Sequence, residues 1–140
     1  MARVVITARL PGRLDEILNG HEIVAPRPGE AVLPLDRLHD ALAHADALLP
    51  LLSVRIDAAL LDRAPALRIV ANYAVGYDNV DVPECTRRGV LVTNTPGVLT
   101  EATADLTFAL ILAAARRLGE AAAVARSGTW KGWEPEQLIG

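Results

Sequence analysis

Five short apolar runs alternate along the chain with segments of helical periodicity, and this alternation constrains the fold more than any other feature. Each run is long enough for a strand but too short for a helix, and most are apolar at successive positions. Such runs are typical of strands that are buried on both faces of a parallel sheet. We predict strands at 4–7, 22–25, 47–51, 67–71 and 90–93.

The segments between these runs show the apolar spacing of short helices. The start of the last one is the clearest. Asp81 can cap the helix, Pro83 suits the first turn, and Glu84 can return a hydrogen bond to the backbone of the cap. We predict helices at 14–18, 35–43, 57–63 and 82–88.

Alternating strands and helices predict right-handed crossovers and a doubly wound α/β fold, with a mostly parallel sheet that helices cover on both faces. In such sheets, ligands bind beyond the carboxyl ends of the strands, where the strand order reverses. The candidate site is therefore sought in the loops that follow the strands, at 9–11, 52–54, 72–79 and 94–97.

The pattern changes at Thr100, where an unbroken helix of roughly 25 residues is predicted to run to about Arg126. Its most apolar stretch, 106–115, is well short of the ~20 residues that span a membrane, which predicts a buried helix. Residues 127–140 carry both tryptophans and show neither helical nor strand periodicity. We predict an extended arm there.

Composition excludes several classes of protein. A net charge of -3, a pI near 5.6 and the absence of a basic run argue against nucleic acid as a partner. Cys85 is the single cysteine, so an intrachain disulfide and a cysteine-based zinc site are both excluded. The first apolar run is too short for a secretory signal. These features predict a cytoplasmic protein.

The loop Ala-Val-Gly-Tyr-Asp-Asn-Val places Gly76 where the backbone is expected to turn sharply. The N–H groups near Val75 and Gly76 would then converge in the crevice, and two convergent N–H groups can bind a carboxylate. A simpler interpretation remains open, in which Gly76 only ends the strand and Asp78 caps the next turn.

Three hydroxyl side chains lie near the same loops. Ser53 follows a neighbouring strand and could face the crevice, or it could cap the helix near Asp57. Thr100 is expected to cap the long helix. Thr103 lies on the first turn of that helix, where free N–H groups and the positive end of the dipole favour a polar or anionic ligand.

Other reactive side chains receive no chemical role. Arg87 and Arg88 could lower the pKa of Cys85, but a structural thiol is the preferred interpretation. No metal site is proposed, because the histidines lack the i, i+4 spacing of a helical metal pair and are far from the candidate loops. We expect all three at the surface: His21, His39 and His44.

The glycine-rich sequences that cradle phosphates, G-x-G-x-x-G and G-x-x-x-x-G-K, do not occur in the 140 residues. A response-regulator receiver would share the sheet type, but it needs acidic residues after strands one and three. The corresponding segments here are ARLPG and LLSVR. The charge pattern therefore excludes a receiver.

Three ordered segments resemble one known family: VGYDNVD at 75–81, GVLVTNTPGVLTEATAD at 89–105, and GTWKGW at 128–133. Together they resemble the NAD(P)-dependent D-isomer-specific 2-hydroxyacid dehydrogenases, most closely the glyoxylate and hydroxypyruvate reductases. The similarity covers essentially the whole chain as an amino-terminal portion. It implies a flavodoxin-like substrate domain at 1–99, and at 100–140 an inter-domain helix, a dimerisation arm and the start of a dinucleotide-binding domain.

The resemblance also implies roles for particular residues. Val75 and Gly76 would donate backbone hydrogen bonds to the substrate carboxylate, and Leu52 and Ser53 would line the same pocket. Thr103 would lie beside the nicotinamide. In similar reductases a tryptophan that matches Trp133 reaches into the partner's site, which implies a homodimer. The family's catalytic arginine, acidic residue and histidine have no counterpart here, so no catalytic residue is assigned.

These features predict an amino-terminal fragment of a dehydrogenase that reduces a 2-oxo acid to a D-2-hydroxy acid with NAD or NADP. The fragment would anchor the substrate carboxylate, would bind no cofactor tightly and would be inactive alone. The alternatives are a non-catalytic dimerising or binding module and, less consistent with the resemblance, a free-standing α/β domain of unrelated function. No membrane partner is expected.

Overall fold

The structure, a computed structural model, describes residues 1–132, and Trp133 lies outside the described residues. The chain divides into two compact units. The first is Met1–Gly97 and the second begins at Val98.

The first unit is built on a parallel sheet of five strands in the order β2-β1-β3-β4-β5. This is the strand order of flavodoxin-like folds, which reverses between β1 and β3. Each strand lies within or within one residue of its predicted run, so the predicted parallel α/β fold is confirmed. The strands are β1 (Arg3–Ile6), β2 (Glu22–Val24), β3 (Ala47–Leu49), β4 (Ile69–Ala71) and β5 (Leu91–Thr93).

Four short helices connect these strands, and all four lie in the predicted segments. Asp81 caps the last of them through its carboxylate, which accepts from the Glu84 N–H at 2.9 Å. The second half of the predicted capping box is wrong, because the Asp81 N–H donates to the Ile56 carbonyl and Glu84 binds arginines instead. The helices are α1 (Leu14–Ile17), α2 (Leu35–Leu42), α3 (Ala58–Asp62) and α4 (Val82–Arg87).

The core lies between the sheet and these helices. Each fully buried leucine or valine side chain contributes about 1.5–3 kcal/mol through removal from water. Branched side chains on the strands meet leucines from the helices, as the apolar runs predict. The most deeply buried branched members are Val5, Leu42, Leu48, Ile56 and Val70.

The second unit corrects the prediction of one unbroken helix. It contains α5 (Thr100–Ala115) and α6 (Leu118–Ser127). The break falls at Arg117, the one non-glycine residue with a positive φ in the described chain, at 51°. A left-handed residue cannot continue a right-handed helix. Arg117 then forms an ion pair with Glu120 on the first turn of α6.

The apolar side chains of α5 are exposed, so the prediction of a buried helix is also wrong. Leu106, Phe108 and Leu112 each expose 60% or more of their surface. From Leu106 to Ala115, apart from Thr107, the helix is apolar on every side and therefore has no polar face to turn toward water. Within residues 1–132, no helix combines the length and apolar character that crossing a membrane requires.

Candidate functional site

Three of the candidate loops meet at the carboxyl edge of the sheet in the first unit. They follow β3, β4 and β5, which are neighbours in the sheet. The Tyr73 N–H donates to the Pro50 carbonyl at 2.9 Å, which joins the loop after β4 to the end of β3. The loops are adjacent because their parallel strands are neighbours in the sheet, although the loops are far apart in the sequence.

In the loop after β4, three successive carbonyls accept hydrogen bonds. The Ala74 carbonyl accepts from the Thr95 N–H at 2.9 Å. The Val75 carbonyl accepts from the Asn94 amide at 2.8 Å, and the Gly76 carbonyl accepts from the Asn72 amide at 2.9 Å. The carbonyls at positions 74, 75 and 76 are therefore all held in place.

Fixing these carbonyls also orients the N–H groups. In a trans peptide the carbonyl and the N–H of the next residue point in opposite directions, and the described chain has no cis peptide. The N–H groups of Val75 and Gly76 therefore point away from Thr95 and Asn94. Neither donates a hydrogen bond within residues 1–132. Both residues are exposed, so these donors are open to solvent.

A left-handed backbone is not the reason for a glycine at position 76. Gly76 is absent from the residues with positive φ, so the backbone there does not require glycine. A Cβ atom at this position would meet only one group within 4 Å, the Asp78 carboxylate at 3.9 Å. Asp78 makes no capping hydrogen bond in the described chain. The fold itself would accept a side chain at position 76.

Leu52 and Ser53 form an exposed turn after β3. The Val54 N–H closes this turn by donating to the Leu51 carbonyl at 3.0 Å. Ser53 does not cap α3, because the Asp57 carboxylate does so by accepting from the Leu60 N–H. The alternative of a structural cap is therefore excluded for Ser53.

Two asparagines that the sequence analysis missed connect these loops. Asn72 is 1% exposed and directly follows β4. Its amide pairs reciprocally with the amide of Asn79, at 3.2 and 3.1 Å. Asn79 also donates to the Val54 carbonyl at 3.0 Å. A polar residue immediately after a buried apolar run was the available signal, because a buried amide requires partners.

A cavity of about 610 Å³ opens at the point where the strand order reverses, between the ends of β1 and β3. Among the candidate residues it includes Ser53, but not Val75 or Gly76. Apolar side chains form most of the wall, with polar groups from Thr7, Ser53, His39, Arg55, Asp57 and Arg63. The structure thus brings Ser53 to this cavity, whereas the Val75 and Gly76 donors lie at a different part of the sheet edge.

The family is decided by comparison with known proteins. The model of the D-isomer specific 2-hydroxyacid dehydrogenase catalytic domain matches residues 4–135. The chain belongs to this family. The family resemblance expected from the three sequence segments is therefore confirmed, and the match covers the loops described above.

Relatives of the chain include glyoxylate reductases of two archaea. Those of Thermococcus gammatolerans and Thermococcus litoralis are 51% and 54% identical to it over 99% of its length. The chain spans 42% and 43% of these relatives, so it corresponds to less than half of each.

Solved structures also match this member of the family. A protein of Thermus thermophilus matches with a TM-score of 0.89 and 48% identity, over 99% of this chain and 44% of that one. An NADPH-dependent glyoxylate/hydroxypyruvate reductase of Sinorhizobium meliloti matches with a TM-score of 0.74 and 31% identity, over 100% of this chain and 44% of that one. The parallel α/β fold is thus common to this chain and these proteins.

The remaining candidate residues lie in the second unit or beyond it. Thr103 is exposed on the first turn of α5, but its N–H already donates to the Leu99 carbonyl at 2.9 Å. Only its hydroxyl is left for a ligand. Thr100 does not cap the helix as expected, because Leu99 occupies the cap position and no side chain bonds there. Trp133 lies outside the described residues.

The environment of Cys85 supports a structural thiol. Its side chain is fully buried in α4. Burial, reinforced by the carboxylates of Asp81 and Glu84, raises the pKa of Cys85, and the opposing effect of Arg88 is smaller. The thiol therefore stays protonated near neutral pH and is a poor nucleophile.

The histidines divide between two environments. His21 and His44 are exposed as expected, and His39 is half-buried at the wall of the cavity. Within residues 1–132, no three His, Cys, Asp or Glu side chains are arranged to hold a metal ion.

Proposed function

We propose that this chain supplies the carboxylate-binding part of an NAD(P)-dependent dehydrogenase that reduces a 2-oxo acid of the glyoxylate or hydroxypyruvate type to a D-2-hydroxy acid. The first unit is then the substrate domain. The observation that carries the proposal is the pair of unbonded N–H groups at Val75 and Gly76, which lie on peptides whose carbonyls are fixed.

Preorganised N–H donors suit a carboxylate because they need not reorient when it binds. Hydrogen bonds to a charged acceptor are roughly twice as strong as those between neutral groups. The absence of a Cβ at Gly76 lets the ligand approach the backbone closely. Leu52 and Ser53 border this site in the proposal, since the hydrogen bonds of Asn79 and Asn72 link the Leu52–Ser53 turn to the same loop.

Hydride transfer needs a nicotinamide and a proton donor held in line with the substrate carbonyl. NAD or NADP would supply the hydride, and we propose that the Thr103 hydroxyl lies beside the nicotinamide in the complete enzyme. The 140 residues contain no G-x-G-x-x-G sequence for the diphosphate. The chain alone is therefore expected to bind neither cofactor tightly and to reduce no 2-oxo acid.

Carboxylate binding can be tested on the chain itself by titrating it with oxamate, a stable analogue of a 2-oxo acid, while the ¹⁵N-labelled amides are followed by NMR. We expect saturable shifts at the Val75 and Gly76 amides. The neutral acetamide should leave them unchanged. If oxamate moves neither amide at concentrations up to tens of millimolar, the proposed function is wrong.

The Asp78 carboxylate offers a second test at the same site, because its negative charge lies near position 76. An exposed charge several ångströms from a ligand carboxylate weakens binding by a fraction of a kcal/mol. Asp78→Asn should therefore tighten oxamate binding about twofold at low salt, and less at high salt because of screening. Asp15→Asn, on the exposed α1, serves as the control. Weaker binding by D78N would contradict the proposed position of the ligand.

Catalysis is tested by incubating the purified chain with NADH or NADPH and glyoxylate, and following absorbance at the nicotinamide band. No turnover is expected. Turnover that copurifies with the chain through two chromatographic steps would show that the residues present suffice for hydride transfer.

Self-association is the second part of the proposal, and it also applies to the alternative of a non-catalytic dimerising module. The exposed apolar residues of α5 favour it, since an apolar surface of this kind usually marks an interface. We propose a homodimer, with Trp133 reaching the partner's site. Light scattering should give a dimer or larger species. Ile111→Glu should reduce its mass, whereas Ile17→Glu, on the exposed α1, should not.

A further inference from the structure

The paired amides of Asn72 and Asn79 form a fully satisfied polar group. Asn72 uses one amide hydrogen for the Gly76 carbonyl and the other for the Asn79 side-chain oxygen. Asn79 uses its hydrogens for the Val54 carbonyl and the Asn72 side-chain oxygen. All four N–H donors of the two amides are therefore bonded.

This pairing permits one orientation of each amide. Rotating the Asn72 amide by half a turn would bring its oxygen against the Gly76 carbonyl and the Asn79 oxygen. The same rotation of Asn79 would oppose its oxygen to the Val54 carbonyl. Each rotation leaves buried acceptors facing each other without a hydrogen, which is strongly unfavourable.

The pair joins two loops that belong to different strands. Val54 closes the turn after β3, next to Ser53, and Gly76 lies in the loop after β4. Asn94 holds the same loop from the β5 side through the Val75 carbonyl. Backbone hydrogen bonds join the same two loops at other positions, from the Tyr73 N–H to the Pro50 carbonyl and from the Ile56 N–H to the Asn79 carbonyl. The asparagine pair adds the side-chain link between Val54 and Gly76.

We propose that Asn72 and Asn79, with Asn94, are positioning residues for the carboxylate site, and that they hold the Leu52–Ser53 turn and the Val75–Gly76 loop in one fixed arrangement. This inference rests on the proposed function, because it assumes that a carboxylate binds at Val75 and Gly76. The asparagines touch the loop carbonyls and act on the ligand only through the peptide planes.

The same geometry adds a third donor to the site. The Gly76 carbonyl is bonded to the buried Asn72, so the Tyr77 N–H on that peptide points away from the interior. This N–H makes no hydrogen bond within residues 1–132. The site therefore offers three successive N–H groups, at Val75, Gly76 and Tyr77, each fixed through a different partner.

The test uses neutral variants of the whole chain, so that no charge is added near the ligand. Asn79→Ala removes the side-chain link between the loops but leaves their backbone hydrogen bonds, and Asn94→Ala removes the outer support. Asn19→Ala, at an exposed position after α1, is the matched control. Two quantities are measured by NMR: the order parameters of amides 52–54 and 74–77 without ligand, and the Kd for oxamate.

We expect both site variants to lower the order parameters of 74–77 and to raise the Kd about three- to tenfold, which corresponds to the cost of ordering a few side chains or peptides on binding. The control should change neither quantity. The hydrogen bond of Asn94 to the Val75 carbonyl is exposed. The urea midpoint of N94A should therefore stay near that of the unsubstituted chain, while the Kd for oxamate rises. If Asn94 served stability alone, N94A would not raise the Kd while it left the urea midpoint unchanged. Should N79A fail to fold, N94A still tests whether side-chain support of residues 74–77 is needed for binding.

The two proposals fail in different ways. If the unsubstituted chain binds oxamate and N79A and N94A bind it equally well with unchanged order parameters, the positioning role is wrong. If the unsubstituted chain does not bind oxamate but the variants loosen 74–77, the proposed function is wrong and the asparagines still fix the loop. A shift of the Tyr77 amide smaller than that of the control amides would remove it as the third donor.

Discussion

The two units of this chain have similarly apolar sequences but opposite environments. In Met1–Gly97, side chains from three helices and five strands meet in one core, and Leu48 is fully buried. In α5 of the second unit, leucines of the same kind are exposed, and Leu106 keeps 60% of its surface open. Apolar composition therefore predicts burial only where the topology supplies a covering surface.

The largest effect is expected from the same substitution made in each unit. Leu48→Ala removes a fully buried side chain and should lower the free energy of unfolding by about 2–5 kcal/mol. At protein concentrations low enough to keep the chain monomeric, Leu106→Ala should change it by less than about 0.5 kcal/mol, because the side chain is then exposed. Urea denaturation followed by circular dichroism measures both. A comparable loss in L106A would show that α5 is covered in solution, and that loss should then depend on protein concentration.

A smaller contrast separates two glycines of the first unit. Gly89 follows α4 with φ +71°, so Gly89→Ala should cost about 1–2 kcal/mol of stability. Gly76→Ala should gain up to about 1 kcal/mol, since its backbone is not left-handed and a Cβ has room. The same variant should bind oxamate at least severalfold more weakly. If G76A is destabilised as much as G89A, the glycine serves the fold rather than the ligand.

The sequence predicted the first unit well because each element is recognisable locally. Runs of four or five apolar residues indicated the strands, and the Asp81 cap indicated the start of α4. It failed in the second unit for a conformational reason. Nothing in the local pattern around Arg116 and Arg117 predicts a left-handed arginine, which is rare for a residue with a Cβ.

For the candidate site, the sequence identified the loops but not what holds them. The family resemblance pointed to Val75 and Gly76, whose role stays a prediction. The asparagines at 72, 79 and 94 went unnoticed because their partners are backbone carbonyls, which every residue has. Such partners become apparent only when the strand order brings Val54 and Gly76 together. Their importance depends on long-range contacts that no local pattern encodes.

The smallest expected effect contrasts two arginine-glutamate networks, one in each unit. In α4, hydrogen bonds from Arg87, then from Arg88, hold the pKa of Glu84 at about 2, below its ordinary value of 4.5. Arg88 also reaches Asp62 of α3 at 2.8 Å, so this network joins two helices. In α6, Arg117 lowers the pKa of Glu120, but that pair is local to one turn.

A carboxylate with a depressed pKa in the folded state stabilises the protein above its unfolded pKa, and this contribution is lost as the pH falls toward the folded value. The stabilisation by Glu84 should therefore be complete above about pH 4.5 and should disappear between pH 4.5 and 2. Urea midpoints of Glu84→Gln and the unsubstituted chain should differ at pH 6 and converge near pH 2. Glu120→Gln should change the urea midpoint less at pH 6, because the Arg117–Glu120 pair lies within one turn of one helix. Parallel pH profiles for E84Q and the unsubstituted chain would show that the pKa of Glu84 is not depressed in solution, and would remove this difference between the two units.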